Sequence, residues 1–176
     1  MSGKLELVNT FTGSSVSSLN LNGCFTDTYE YYDVFFRGLQ NADGSNPRPT
    51  LKILDDSNAE LGAGNYDYAS FELSDTGTIT DNNQNSDQDS SILIMVDSGV
   101  QQDLQAHLKV FNPRSTTLYK YIWAACNSDA GYNKVGTMVK TTTAAGGLKL
   151  ETAGTFSEIH ASVYGVKHEW VQTNLN

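Results

Sequence analysis

A chain of 176 residues with 39% hydrophobic content is long enough for one domain with a buried core. Its 20 acidic and 11 basic residues leave a formal net charge of −9, and the cations are scattered, so direct binding to nucleic acid is not expected. No stretch approaches the roughly 18 consecutive apolar residues of a membrane-spanning helix, and the opening MSGKLELVNTF lacks the apolar centre of a signal peptide.

Period-two alternation of apolar and polar residues recurs along the chain, whereas no long stretch carries a 3.6-residue period with caps. LELVNTF (5–11) predicts a first strand and SVSSLNLNG (15–23) a second. YEYYDVFFRGLQ (29–40) sets Tyr31, Asp33, Phe35 and Arg37 against Tyr32, Val34 and Phe36. NADGSNPRP (41–49) is a loop by its Asp-Gly and Asn-Pro pairs. TLKILDD (50–56) is a short strand, and YDYASFELS (66–74) alternates Tyr66, Tyr68, Ser70 and Glu72 against Asp67, Ala69, Phe71 and Leu73.

The stretch 74–91, SDTGTITDNNQNSDQDSS, is nearly free of apolar residues and reads as a long solvated loop. ILIMV (92–96) reads as a strand covered on both faces. DLQAHLKVFN (103–112) and TLYKYIWAACN (117–127) form a hairpin about PRST, followed by strands at 132–143 and 147–153. In TFSEIHASVYGVK (155–167), Ile159, Ala161, Val163 and Gly165 share one face, and Glu158, His160, Ser162 and Tyr164 the other. This last strand reads either as the closing strand of a sandwich or as a surface that meets another subunit. About ten short strands, spaced roughly ten residues apart without helix, predict a single all-β antiparallel domain, a sandwich or a barrel.

Few residues suggest chemistry. Asp81, Asn83, Asn85, Asp87 and Asp89 alternate as calcium ligands sometimes do, but Ser86 and Ile92 stand where an EF-hand needs Gly and Glu. A mobile acidic loop is the favoured reading, with a calcium loop of another type as the alternative. His107 and His160 lie on strands and are expected to be partly exposed; His168 opens HEW without the second His of a zinc protease. Asp55–Asp56 and Glu158 are the carboxylates conceivable as a glycosidase pair, at a separation that sequence does not give. No nucleophile elbow or phosphate-binding loop is present, so no catalytic, cofactor-binding or metal-binding residue is expected. Cys24 and Cys126 read as buried free thiols, in keeping with synthesis or assembly in a reducing cytoplasm. The strand tyrosines, Tyr29, Tyr31, Tyr32, Tyr66, Tyr68, Tyr119 and Tyr121, suit core packing, a subunit interface or a carbohydrate platform.

SSVSSLNLNG leading into YEYYDVFFRG, then TLKILDDSNAELGAGNYDY, LKVFNPRSTTLYKYIWAAC and the closing GTFSEIHASVYGVK, form an order that resembles small jelly-roll virion proteins of tailed bacteriophages. Tyr164, Gly165, Val166 and Lys167 match their closing Tyr-Gly-(Ile/Val)-Lys signature. The resemblance spans residues 14–167; DDSNAE replaces the usual Asn-Gly-Asp turn, and HEWVQTNLN extends past the signature. It implies a jelly-roll sandwich of about 8–10 strands over residues 1–176, with 1–13 as an N-terminal arm or strand and 168–176 as a tail. It further implies a non-enzymatic structural protein of the virion, commonly a homotrimer, that decorates or cements the capsid by bridging copies of the major capsid protein. A tail-fibre or tail-appendage subunit is the same-class alternative, and a module binding host surface glycans is the alternative from another class. In the trimer, Tyr164 and the tail residues Trp170 and Val171 are expected to meet a neighbouring subunit.

Overall fold

A computed structural model of the protein describes residues 3–41, 48–62, 64–92, 104–128 and 131–168. These form ten strands: β1 (Gly3–Leu21), β2 (Tyr31–Asn41), β3 (Thr50–Asp55), β4 (Tyr66–Ser74), β5 (Ile79–Gln88), β6 (Ser91–Ile92), β7 (Leu104–Phe111), β8 (Lys120–Ser128), β9 (Gly131–Val139) and β10 (Ala145–His168). Every pairing is antiparallel, and the order is β5-β4-β9-β8-β7-β2-β10-β3-β6, with β1 on the other side of β10. The all-β antiparallel expectation holds.

The longest strand organises the rest. β10 pairs with β1 from Gly3↔His168 to Leu21↔Leu148. On its other side, Phe156–Val166 pair with β2 and Ala145–Glu151 pair with β3. The sheet divides at residues 152–155, where β10 passes from one partner to the other. One branch runs through six strands from β2 to β5, and the other is the short β3–β6 pair. Two contacts bring the branches together: Ile53 N–H of β3 donates to Tyr66 Oη of β4 at 2.7 Å, and the hydroxyls of Ser91 on β6 and Thr137 on β9 lie 2.6 Å apart.

The core lies inside this fold, and register shows how alternation fills it. One row across the sheet reads Ser70, Val135, Ala124, Leu108, Val34 and Val163, all buried. Burying each large aliphatic side chain of such a row contributes about 1.5–3 kcal/mol. The adjacent row ends in polar groups, Glu72 beside Asn133, before Cys126, Ala106, Phe36 and Ala161. The Ser70 hydroxyl and the Asn133 amide are buried without a hydrogen-bond partner among the described residues. Cys24 and Cys126 are free and buried, as expected. Burial pushes both thiols up to about 12 from an ordinary value of 9.0.

Three expectations need correction. Residues 5–11 and 15–23 are not separate strands but one, β1, bent by register shifts at Leu7/Asn9 and Val16/Ser18. Residues 74–91 are not a long loop: the chain turns at 75–78 and returns as edge strand β5 against β4. Residues 155–167 do not close the sheet but form the C-terminal part of a strand flanked on both sides. Their two faces are as read: Ile159, Ala161, Val163 and Gly165 are buried, while Glu158, His160, Ser162 and Tyr164 are not. Of the expected strand 92–96 only Ile92 falls within the described residues, and the tail at 169–176 lies outside them.

The closing signature has a physical reading. A Cβ on Gly165 would meet the Tyr29 ring at 2.3–2.5 Å, so the glycine leaves room for that ring against the β10 backbone. Tyr29 Oη donates to Glu6 at 3.0 Å, and Lys167 Nζ lies 3.1 Å from Glu6 and 5.2 Å from the Tyr29 ring centre. The carbonyl of Val166 accepts from Glu30 N–H at 3.1 Å. Gly165, Val166 and Lys167 thus fasten the segment entering β2.

Candidate functional site

Alternation turns the other side of the β10–β2–β7–β8–β9–β4 branch outward, and its side chains form registered rows. One row is Tyr31, Phe111, Tyr121, Met138 and Asp67. The next is Tyr164, Asp33, Lys109, Trp123, Gly136 and Ala69. A third holds Ser162, Phe35, His107, Ala125, Lys134 and Phe71. Beyond it His160 stands opposite Arg37, and Gln105 opposite Asn127, which faces Tyr132.

Aromatic rings run through these three rows and are exposed there: Tyr121 at 46%, Trp123 at 36% and Phe35 at 39%. Phe35 stacks on His107 with ring centres 4.3 Å apart, and His107 meets Trp123 edge-on at 6.0 Å. Tyr164 meets Phe35 edge-on at 5.8 Å, so four neighbouring strands carry one aromatic chain. Below these rings Asp33 is buried, with His107 Nε2 at 2.5 Å and Lys109 Nζ at 2.9 Å. Its carboxylate holds the imidazole and the ammonium in place, which fixes the rings stacked on them.

Two hollows open on this face. One, of about 480 Å³, lies over Gly136 between Trp123, Tyr121, Phe111 and Met138, with Asp67 and Ser86 at its rim. Lys140 Nζ lies 3.0 Å from Asp67 and also pairs with Asp87, tying the start of β4 to the end of β5. The second, of about 430 Å³, is lined by Phe35, Arg37, Gln105, His107 and Asn127.

The other expected positions fall away from this face or are tied up. Asp55 caps a turn, its Oδ1 accepting from Ser57 N–H at 2.8 Å and Ala59 N–H at 2.9 Å. Asp56 pairs with Arg114, so the two carboxylates do not converge as a catalytic pair. Glu158 pairs with His160 at 2.7 Å, and both histidine side chains, His107 and His160, are about one-third exposed, as expected. The calcium reading rests on side chains at 81–85, which lie outside those described; Asp87 is held by Lys140. Among the described residues no three His, Cys, Asp or Glu side chains group as metal ligands. Tyr32, Tyr66 and Tyr68 are core, whereas Tyr119 and Tyr121 are exposed. Sequence reasoning missed Trp123, Phe35 and Phe111 as surface residues, although alternation on β2, β7 and β8 already assigned them the outward phase.

No family model matches the chain, and no curated protein matches it. Among solved structures, the marine PL-14 alginate lyase from Aplysia kurodai is similar at TM-score 0.43 and 5% identity, covering 91% of this chain and 82% of the lyase. The xylan β-1,4-xylosidase from Bacillus halodurans C-125 is similar at TM-score 0.33 and 10% identity, covering 86% of this chain and 33% of the xylosidase. At these values neither likeness bears on what this chain does.

Proposed function

We propose that the chain is a non-enzymatic structural protein of a phage virion, a capsid decoration or cement protein that bridges capsomers through the outer face of its sheet. The observation that carries this reading is the exposed aromatic surface of Tyr121, Trp123, Phe111 and Phe35, held in register on three adjacent strands. Rings fixed in water in this way cost hydration free energy that burial against a partner recovers. Both hollows open onto the sheet face rather than into the core, which suits contact with a broad partner surface. The order of motifs ending in Tyr164–Lys167 supplies the virion setting.

Homotrimeric assembly belongs to the same proposal. β1 and β5 each have one paired side among the described residues, and β1 exposes Leu5 and Leu7 above 50%. A neighbouring copy laid along β1 would cover both leucines and the open edge. A tail-fibre or appendage subunit remains the alternative within the class.

Particles assembled with the wild-type chain or with Tyr121→Ser/Trp123→Ser, purified on a gradient and compared by mass spectrometry, test the reading. Loss of the variant from particles, with its melting temperature kept, is expected; wild-type occupancy by the variant contradicts it.

A further inference from the structure

Charge pairing on this acidic chain is extensive. Lys52, Lys109, Arg114, Lys140 and Lys149 each meet one or more carboxylates. Arg37 and Lys134 do not: among the described residues neither has a carboxylate partner, and both are exposed. They stand on the same outer face, Arg37 in the second hollow and Lys134 beside it, in the row of His107 and Ala125. The same hollow holds the exposed side chains of Gln105 and Asn127, opposite each other on β7 and β8. Neither amide has a protein partner among the described residues.

A chain with 20 carboxylates that leaves Arg37 without one, in a hollow lined by amides, offers a single guanidinium to an anion there, with Lys134 three strands away on the same face. A guanidinium binds a carboxylate through two parallel N–H bonds, and primary amides both donate to and accept from hydroxyls. The Phe35 ring walls the hollow, and Trp123 and Tyr121 continue an aromatic floor toward the first hollow. An aromatic strip beside a cationic, amide-lined edge fits a chain of sugar rings that carries carboxylates. A sugar C–H face lies on the Trp123 ring, which is perpendicular to the stacked Phe35 and His107, the hydroxyls meet Gln105 and Asn127, and the acid group meets Arg37.

We infer that the hollow around Arg37, Gln105 and Asn127, with the Trp123 strip beside it, binds an acidic polysaccharide of the uronate type. This rests on the outer face being the contact surface and gives that surface a second partner in the free chain, an anionic glycan that competes with the shell for the Trp123 strip.

The test is calorimetric titration of the full chain with a galacturonate hexasaccharide and, in parallel, with neutral cellohexaose and a sulfated hexasaccharide. Binding of the uronate, absent for cellohexaose, weakened by added salt and reduced at least tenfold by Arg37→Gln with Lys4→Gln as the unaffected control, is expected. A Lys134→Gln chain should lose less, and Trp123→Ala should lose binding at unchanged melting temperature. No binding of the uronate, equal binding of cellohexaose, preference for the sulfated chain, or an unchanged Arg37→Gln chain would each overturn the inference. Particle occupancy separates the two readings. An Arg37→Gln chain that fills particles normally but binds no glycan supports the glycan site and leaves the capsid contact intact. A wild-type chain that fills particles and ignores the uronate overturns this inference alone.

Discussion

Tyr66 Oη accepts from Ile53 N–H at 2.7 Å and donates to the Leu61 carbonyl at 3.1 Å, so one buried phenol joins the two branches of the sheet. Ile53 pairs with Leu148 of β10. On the other side of β3 the returning segment 59–61 pairs with it, Leu61 N–H donating to the Ile53 carbonyl at 2.9 Å, while Tyr66 Oη stands between Ile53 N–H and the Leu61 carbonyl. The phenol therefore takes the place of a ladder partner. Tyr66→Phe leaves a buried N–H and a buried carbonyl without that partner, and should cost about 1–3 kcal/mol. Urea denaturation measures it; a loss below a few tenths of a kcal/mol would show that the branches are joined elsewhere.

Gly165 makes a second expectation. Gly165→Ala places a methyl group inside the Tyr29 ring position, and the ring must leave its contact with Tyr32 and its bond to Glu6. The cost should be about 1–3 kcal/mol. In the double variant Tyr29→Ala/Gly165→Ala the second change should cost far less than it does alone, and additive losses would count against a close Tyr29–Gly165 contact.

Alkaline stability follows from three buried acids. Burial raises the Cys24 and Cys126 thiols and the Tyr66 phenol to about 12, from 9.0 and 10.0. The fold thus favours their protonated forms, and this contribution is complete below pH 9 and lost as pH rises toward 12. Thermal melts should hold level from pH 7 to 9 and then fall. Cys24→Ala/Cys126→Ala should flatten the first part of the fall, and a wild-type melting temperature constant to pH 11 would contradict the burial of these groups. The same burial predicts slow alkylation of both thiols in the native protein.

At the acid end, Glu6 behaves in the opposite sense. Lys4, Lys167 and the Tyr29 hydroxyl hold its carboxyl down at about 2, from 4.5. The stability this supplies is present above pH 4.5 and lost as pH falls toward 2. A Glu6→Gln chain should be less sensitive than wild type to acid between those values, as read by its melting temperature, and equal sensitivity would dismiss the cluster.

Much of the fold was legible because alternation is a direct record of sheet faces. On β2, β4 and β10 the two sets read from the sequence are the inward and outward sets of the structure. Strand continuity was less legible. Thr12–Ser14 look like a turn between two strands, yet β1 runs through them because β10 supplies the ladder, and Gly13 stands where a Cβ would meet Val16 at 2.9 Å. β5 was invisible because an edge strand needs main-chain partners, not an apolar face, and TDNNQNSDQ has none. The candidate face was only half legible. The tyrosines drew attention, but Arg37 and Lys134 mean something only once the other cations are seen to be paired.

A difference image of a phage particle assembled with and without this chain bears most directly on the proposed capsid role. Density at capsomer junctions that vanishes with the chain, and that places the Trp123 face against the shell, is the expected result. Identical particles, or a chain seated with that face turned to solvent, would contradict it.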